Sequence, residues 1–209
     1  MIMACRAYRE HPEMVPLLIQ YGAAPNVKDQ YGAGALRLAA GEGNPAAVGA
    51  LIDAGLDVNG DPDESLTPLQ AAARAGRIEV VSILIEQGAD LDRQGNGGMD
   101  TPLLECLLHH HDEVAQLLIE AGADINQRGY QGATPLLYAL GCLDDLVYER
   151  SVPPKVNLSL IRLLLEKGAD PSVQPKFNQT ALDLARKTRN TRLIGLIKKH
   201  QPTPPRSAS

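Results

Sequence analysis

The residues of this chain best able to bind a metal stand together at Cys106-x-x-His109-His110-His111. Zinc needs three or four such ligands converging tetrahedrally on one point. Phosphate-binding loops are suggested by Gly32-Ala33-Gly34 and Gly95-Asn96-Gly97-Gly98. Neither forms a Gly-x-Gly-x-x-Gly turn after a strand, and no Gly-Lys-Ser/Thr follows. Two triplets, Asn157-Leu158-Ser159 and Asn178-Gln179-Thr180, are formal glycosylation sequons. Pro202-x-x-Pro205-Arg206 has the pattern of an SH3 ligand. No Ser/His/Asp or Cys/His set has the spacing of a nucleophilic site. Catalysis therefore has little support in the residue types, and no cofactor or metal is expected.

The elements that carry these residues are best read at 65–92. Thr67 can cap a helix by accepting a backbone N–H, and Pro68 suits the first helical position because its missing donor has no partner there anyway. Leu69, Ala72 and Ala73 follow on one face. Gly76 can end that helix in the left-handed conformation. A second helix follows, with Ile78, Val81 and Ile85 expected on one stripe, and Gly88 ends it. Alanines on the first helix bury little area each. The unit needs neighbours, and the sequence supplies them. Met1, Gly34, Thr67, Thr101, Thr134 and Thr180 share one phase, with steps of 33, 33, 34, 33 and 46 residues. The helix-ending glycines Gly22, Gly55, Gly88, Gly122 and Gly168 keep the same phase. A period near 33 marks a stacked array of helix pairs.

In these markers the chain resembles the ankyrin-repeat family: Thr-Pro-Leu at 67–69, 101–103 and 134–136, Ala-Ala at 39–40 and 72–73, and Gly-Ala-Asp at 88–90, 122–124 and 168–170. The resemblance implies an all-α repeat solenoid of stacked helix pairs joined by β-hairpin-like turns. The expected domain covers 1–199, with units near 1–30, 31–63, 64–97, 98–130 and 131–176 and a C-terminal cap at 177–199. Residues 200–209, rich in Pro and Ser, are expected to be a disordered tail. The family usually places His after Thr-Pro-Leu. Here that position holds Ala4, Arg37, Gln70, Leu104, Leu137 and Asp183. Gln70 is the residue best suited to take over the hydrogen bonding between repeats. In this register Cys106 aligns with Ala72 on the packed face, and His110 takes a turn position where the array favours Gly. The His run therefore reads as an exposed turn.

Composition agrees with a stack of thin helical layers. Aromatic residues make up 3% of the chain, with one Phe and no Trp. The net charge of −5 is unevenly placed: 176–209 holds eight Lys or Arg and one acid, so this end carries +7 and the remainder −12. An acidic body disfavours nucleic acid and favours a basic partner. The basic end suits the polar outer face that a terminal repeat requires. Three widely spaced cysteines, 5, 106 and 142, read as reduced thiols. With neither a signal peptide nor an apolar run long enough to span a membrane, a cytoplasmic or nuclear monomer is expected.

Two departures from the template stand out. Thr134 to Asp170 is 36 residues where Thr67 to Asp90 is 23, so 13 extra residues fall around 144–156. Insertions in repeat arrays map to loops and can bind partners. Aromatic residues also occur in the turns just before the Thr positions. The resemblance implies that these turns and the outer ends of the first helices face a partner on a concave side. The matching residues are Tyr31, Glu42, Asp63, Glu64, Arg74, His109, Tyr130, Gln131, Lys176 and Phe177. The expected function is a non-catalytic interaction module or adaptor gripping a protein or peptide. The alternative is an enzyme, or the targeting part of one, with its chemistry in a further segment or in the 144–156 insertion.

Overall fold

The computed structural model describes residues 1–6, 11–96, 98, 100–142, 156–176 and 178–201. Most of the expected insertion and the tail from 202 onward lie outside the described residues. Among the described residues, regular structure is helical apart from one isolated antiparallel bridge between Lys28 and Gly34. No described helix is long and apolar enough to cross a membrane. The chain forms two compact segments, Met1–Asp124 and Ile125–Ser209.

The first segment holds four helix pairs: α1 (Ile2–Arg6) with α2 (Met14–Gln20), α3 (Ala35–Glu42) with α4 (Pro45–Asp53), α5 (Pro68–Arg74) with α6 (Ile78–Glu86), and α7 (Pro102–Leu108) with α8 (Asp112–Ala121). The first helices pack in sequence, α1 on α3 on α5 on α7, and the second helices stack in the same order. Ala39, Ala40, Ala72 and Ala73 are fully buried, so the first helices approach closely. The bulk comes from Leu51, Leu84 and Leu118 on the second helices, also fully buried. Each such side chain contributes about 1.5–3 kcal/mol on burial, so the stack is held mainly by its leucines.

The caps follow the sequence closely. Thr67 Oγ1 accepts from Gln70 N at 3.1 Å and Thr101 Oγ1 from Leu104 N at 3.4 Å. Gly76 and Gly88 adopt φ of +68° and +80°. One expected stripe needs correction. In α6 the buried residues are Val80, Val81 and Leu84, whereas Ile78 is exposed and Ile85 only half-buried. The helix starts one residue after Arg77, and its buried face is rotated toward 80, 81 and 84.

The second segment holds a short 3-10 turn (Tyr130–Gly132), α9 (Pro135–Ala139), α10 (Leu158–Glu166), α11 (Ala181–Lys187) and α12 (Thr191–Lys199). Asn157 Oδ1 caps α10 by accepting from Ser159 N at 3.0 Å and Leu160 N at 3.2 Å. Thr180 and Asp183 form a reciprocal capping box on α11. Thr134 departs from its counterparts: it accepts no cap bond, and its buried Oγ1 has no hydrogen-bond partner.

Candidate partner-binding surface

The turns before each first helix are held by short local bonds that leave their tips free to vary. In the turn before α3, Asp29 Oδ1 accepts from the backbone N–H of Tyr31 and of Ala33, both at 2.9 Å, and Gly32 takes φ +78°. This fixes the backbone and projects Tyr31 outward, 78% exposed. In the second segment Tyr130 N donates to Tyr138 Oη at 3.1 Å, and Gln131 Nε2 donates to Tyr130 Oη at 3.3 Å. Tyr130 is 46% exposed. Gln131 takes φ +57°, and its carbonyl accepts from Lys176 N at 2.9 Å. Tyr130, Gln131 and the exposed Lys176 are thereby brought together. Phe177 lies outside the described residues.

Glu64 does not lie where the sequence suggests. It is 5% exposed, and its Oε1 accepts from Gly34 N at 2.6 Å. Gly34 is the N-cap of α3 and has no side chain of its own to cap with. Glu64, from the next turn, takes the place of the missing threonine. Its Oε2 lies 3.5 Å from Arg37 Nε, but the two are not aligned for a hydrogen bond. Burial outweighs the Gly34 bond and the Arg37 charge and pushes the Glu64 carboxyl pKa up. Glu64 is thus an internal link between repeats rather than an exposed contact. Its neighbour Asp63 is exposed. Lys28 and Asp61 pair at 2.6 Å across the same two turns.

On the first helices, Glu42 is half-buried at the end of α3 and Arg74 is exposed at the end of α5. His109 follows α7, half-buried, with Nε2 4.0 Å from Glu105 Oε2. Glu105 escapes a sequence reading. It occupies the register position of Leu38 and Ala71, and a lone acid in that apolar column is the signal that marks it. Burial raises its carboxyl pKa, opposed by the Arg74 charge and reinforced by Asp100. His109 is pushed the other way, by burial first and then by Arg74 and the two neighbouring histidines. Arg74, Glu105 and His109 therefore form one electrostatic cluster on this face.

The Cys/His run is divided between core and surface. Cys106 is fully buried, its Sγ donates to Leu103 O at 3.1 Å, and burial raises its thiol pKa. His110 is exposed in the left-handed turn, φ +59°. His111 Nε2 donates to Arg74 O at 3.1 Å in the preceding repeat. Among the described residues, no three His, Cys, Asp or Glu side chains group to hold a metal ion.

Besides the Glu64–Gly34 and Lys28–Asp61 links, three register positions supply bonds between repeats in this segment. Gln70, at the usual His position, donates from Nε2 to Asp100 O at 2.7 Å while its Oε1 accepts from Thr67 N at 2.7 Å. The residue before each second helix also reaches back: Asn44 Nδ2 to Pro12 O at 3.4 Å, Arg77 Nε to Gly41 O at 3.1 Å, and His111 as above. After each second helix, Asn59 Oδ1 accepts from Asp90 N at 2.8 Å and Asp92 Oδ1 from Asp124 N at 2.9 Å. The second segment repeats this last link, with Asn126 Oδ1 accepting from Asp170 N at 3.1 Å. Because these side chains are used by the fold, they are poor candidates for partner contacts.

Comparison with known proteins agrees with this geometry. A family model described as "Ankyrin repeats (3 copies)" matches residues 1–95, and one described as "Ankyrin repeat" matches 99–130. The chain is 30% identical over 182 residues to the mouse B-cell lymphoma 3 protein homolog, covering 85% of this chain and 38% of that protein. It thus spans well under half the length of that relative. It is 31% identical over 177 residues to the putative ankyrin repeat protein YahD of Escherichia coli K12, covering 83% of each. The crystal structure of the ankyrin repeat domain of Bcl-3, described as a unique member of the IkappaB protein family, is similar with a TM-score of 0.70 at 30% identity, covering 90% of this chain and 77% of that one. With its phase, its stacked helix pairs and these relatives in agreement, the chain belongs to the ankyrin-repeat family.

Proposed function

We infer that this protein is a non-catalytic interaction module that binds a protein or peptide across its turns and the outer ends of its first helices. The observation that carries the reading is Tyr31: a large aromatic ring, 78% exposed, on a turn whose backbone is already fixed by Asp29. The fold makes no use of the ring, and exposed aromatic residues commonly anchor interfaces. In the first segment Glu42, Asp63, Arg74 and His109 supply polar contacts, and in the second segment Tyr130, Gln131 and Lys176 form a patch of the same register. The acidic body, −12 outside residues 176–209, favours a basic partner and a salt-sensitive association rate. Six repeats over 1–199 make up the binding domain in this reading.

The test has two steps. Affinity capture from native lysate identifies partners, and each is then titrated against the intact chain and a Tyr31→Ala, Tyr130→Ala variant. The double variant should keep its thermal stability and bind more weakly by at least about tenfold, equivalent to about 1.4 kcal/mol. Unchanged affinity in the variant would remove the turns from the binding site.

A further inference from the structure

Six polar side chains are buried in the first segment among the described residues: Asn44, Glu64, Thr67, Gln70, Thr101 and Glu105. Five of them bond to the backbone at a helix start. Asn44, Thr67 and Thr101 cap their own helices, Glu64 caps α3, and Gln70 bonds to Thr67 N. Glu105 is the exception. It is 9% exposed, and among the described residues no donor lies within hydrogen-bond distance of its carboxylate. The basic group within ion-pair distance is His109, with Nε2 at 4.0 Å. Burial holds the His109 pKa down, so at neutral pH the imidazole supplies no counter-charge. Arg74 acts on Glu105 through its charge, opposed by Asp100, but forms no ion pair with it. A carboxylate desolvated without donors is costly, and Leu38 and Ala71 at the equivalent positions show that the stack does not need one there. Its oxygens are nevertheless not sealed off, as Glu64 Oε2 is. Glu105 thus lies recessed but reachable on the face that carries Arg74 and His109.

We propose that Glu105 is the seat for an arginine side chain of the partner. The inference rests on the interaction-module reading above and narrows it to a partner with an arginine at this contact. Two carboxylate oxygens lacking donors match the planar N–H fork of a guanidinium. That group is also more weakly hydrated than an ammonium, and so easier to bring into a recessed site. The bound cation supplies both the donors and the charge that the fold withholds. Glu105 therefore lowers stability in the unbound protein, and binding relieves the cost, an exchange of stability for function known at binding sites. A purely structural residue would behave in the opposite way: replacing it would weaken the fold.

The test uses the full chain and the pentapeptide acetyl-Ala-Ala-Arg-Ala-Ala-amide, with a citrulline counterpart as its neutral isostere. Backbone amide shifts in a nuclear magnetic resonance titration give the site and the affinity. Shifts should centre on 101–112, and the citrulline peptide should bind at least about tenfold more weakly. Glu105→Gln and Glu105→Leu should weaken binding of the arginine peptide by a similar factor, and Glu105→Gln should raise the melting temperature at pH 7. Glu86→Gln removes an equal charge from an exposed position on α6 and should change the affinity by less than about twofold. Equal losses in Glu86→Gln and Glu105→Gln would mean diffuse attraction to the acidic body and would overturn the proposal. So would an absence of binding, shifts that avoid α7, or a melting temperature lowered by Glu105→Gln. Captured partners separate this inference from the reading it rests on. A partner weakened by Tyr31→Ala, Tyr130→Ala but not by Glu105→Gln overturns the arginine seat alone. A partner weakened by Glu105→Gln but not by the tyrosine variant overturns the turn-centred site alone.

Discussion

The cap that Glu64 lends to α3 gives a sharp test of how this stack is held. Glu64→Ala removes a charged acceptor from the Gly34 N–H and leaves Arg37, itself largely buried, without its nearest carboxylate. A lost N-cap costs about 0.5–2 kcal/mol, and a lost hydrogen bond to a charged group about 1.5–3 kcal/mol. Relief of the carboxylate's burial penalty offsets part of this, so the net loss should be about 2 kcal/mol. The complementary change is Gly34→Thr. Gly34 has φ −75° and ψ 159°, close to the −71° and 161° of Thr67, so the backbone already suits a threonine cap. A Cβ there overlaps Glu64 Oε1, and Gly34→Thr alone should also destabilise. The double variant Gly34→Thr, Glu64→Ala gives α3 its own cap in the vacated space. It should be more stable than the sum of the single effects by at least about 1 kcal/mol, a coupling of the size seen for residues in direct contact. Urea unfolding followed by circular dichroism measures the cycle. Hydrogen exchange of the α3 amides localises it, which matters because long repeat arrays can depart from all-or-none unfolding. Strictly additive effects, or a Glu64→Ala loss below about 0.5 kcal/mol, would refute the account of Glu64 as a borrowed cap.

Three further outcomes follow from the same structure. Gln70→Ala removes two short buried bonds, to Thr67 N and Asp100 O, and should cost about 2–3 kcal/mol in a denaturant titration; a smaller loss than Tyr31→Ala would contradict its linking role. Glu105 has its folded pKa raised by burial, so the stability it permits is full below the unfolded carboxylate pKa and falls as pH rises through the folded value. Glu105→Gln should therefore stabilise the protein at pH 7, with the gain vanishing toward pH 4, and thermal melts across that range should show the difference shrinking with acid. Asp92 is raised by burial and by the like charges of Asp124 and Asp90, while its counterparts 59 and 126 are asparagine. Asp92→Asn keeps the acceptor for Asp124 N and should gain a few tenths of a kcal/mol at neutral pH; loss of stability in thermal melts there would show that the charge itself is needed.

Periodic features were legible in the sequence because they depend mostly on local rules, with α3 and α9 as the departures. Thr67 and Thr101 cap, Pro68 opens a helix, and Gly76 and Gly88 close helices. Even His110 in a glycine-favouring turn could be read from the register alone. Gln70 as the substitute link between repeats was legible too, since the family register marks the position and an amide can both donate and accept.

Only the tertiary structure decided what depends on one repeat meeting another. Glu64 and Asp63 look alike as acidic turn residues, yet one is buried against the start of α3 in the preceding repeat and the other is in solvent. The difference arises because Gly34, thirty residues away, leaves room and an unsatisfied N–H. Glu105 stands out by register as an acid in an apolar column, but its electrostatic pairing shows only when Arg74 of the preceding repeat is set beside it. Met3 reads as a core residue by register, yet it is 76% exposed. A linear sequence states the repeat, with its caps and its period, because those are satisfied within about 33 residues. It does not state which side chain fills the space its neighbour leaves, because burial and charge pairing are properties of the contact rather than of either residue alone.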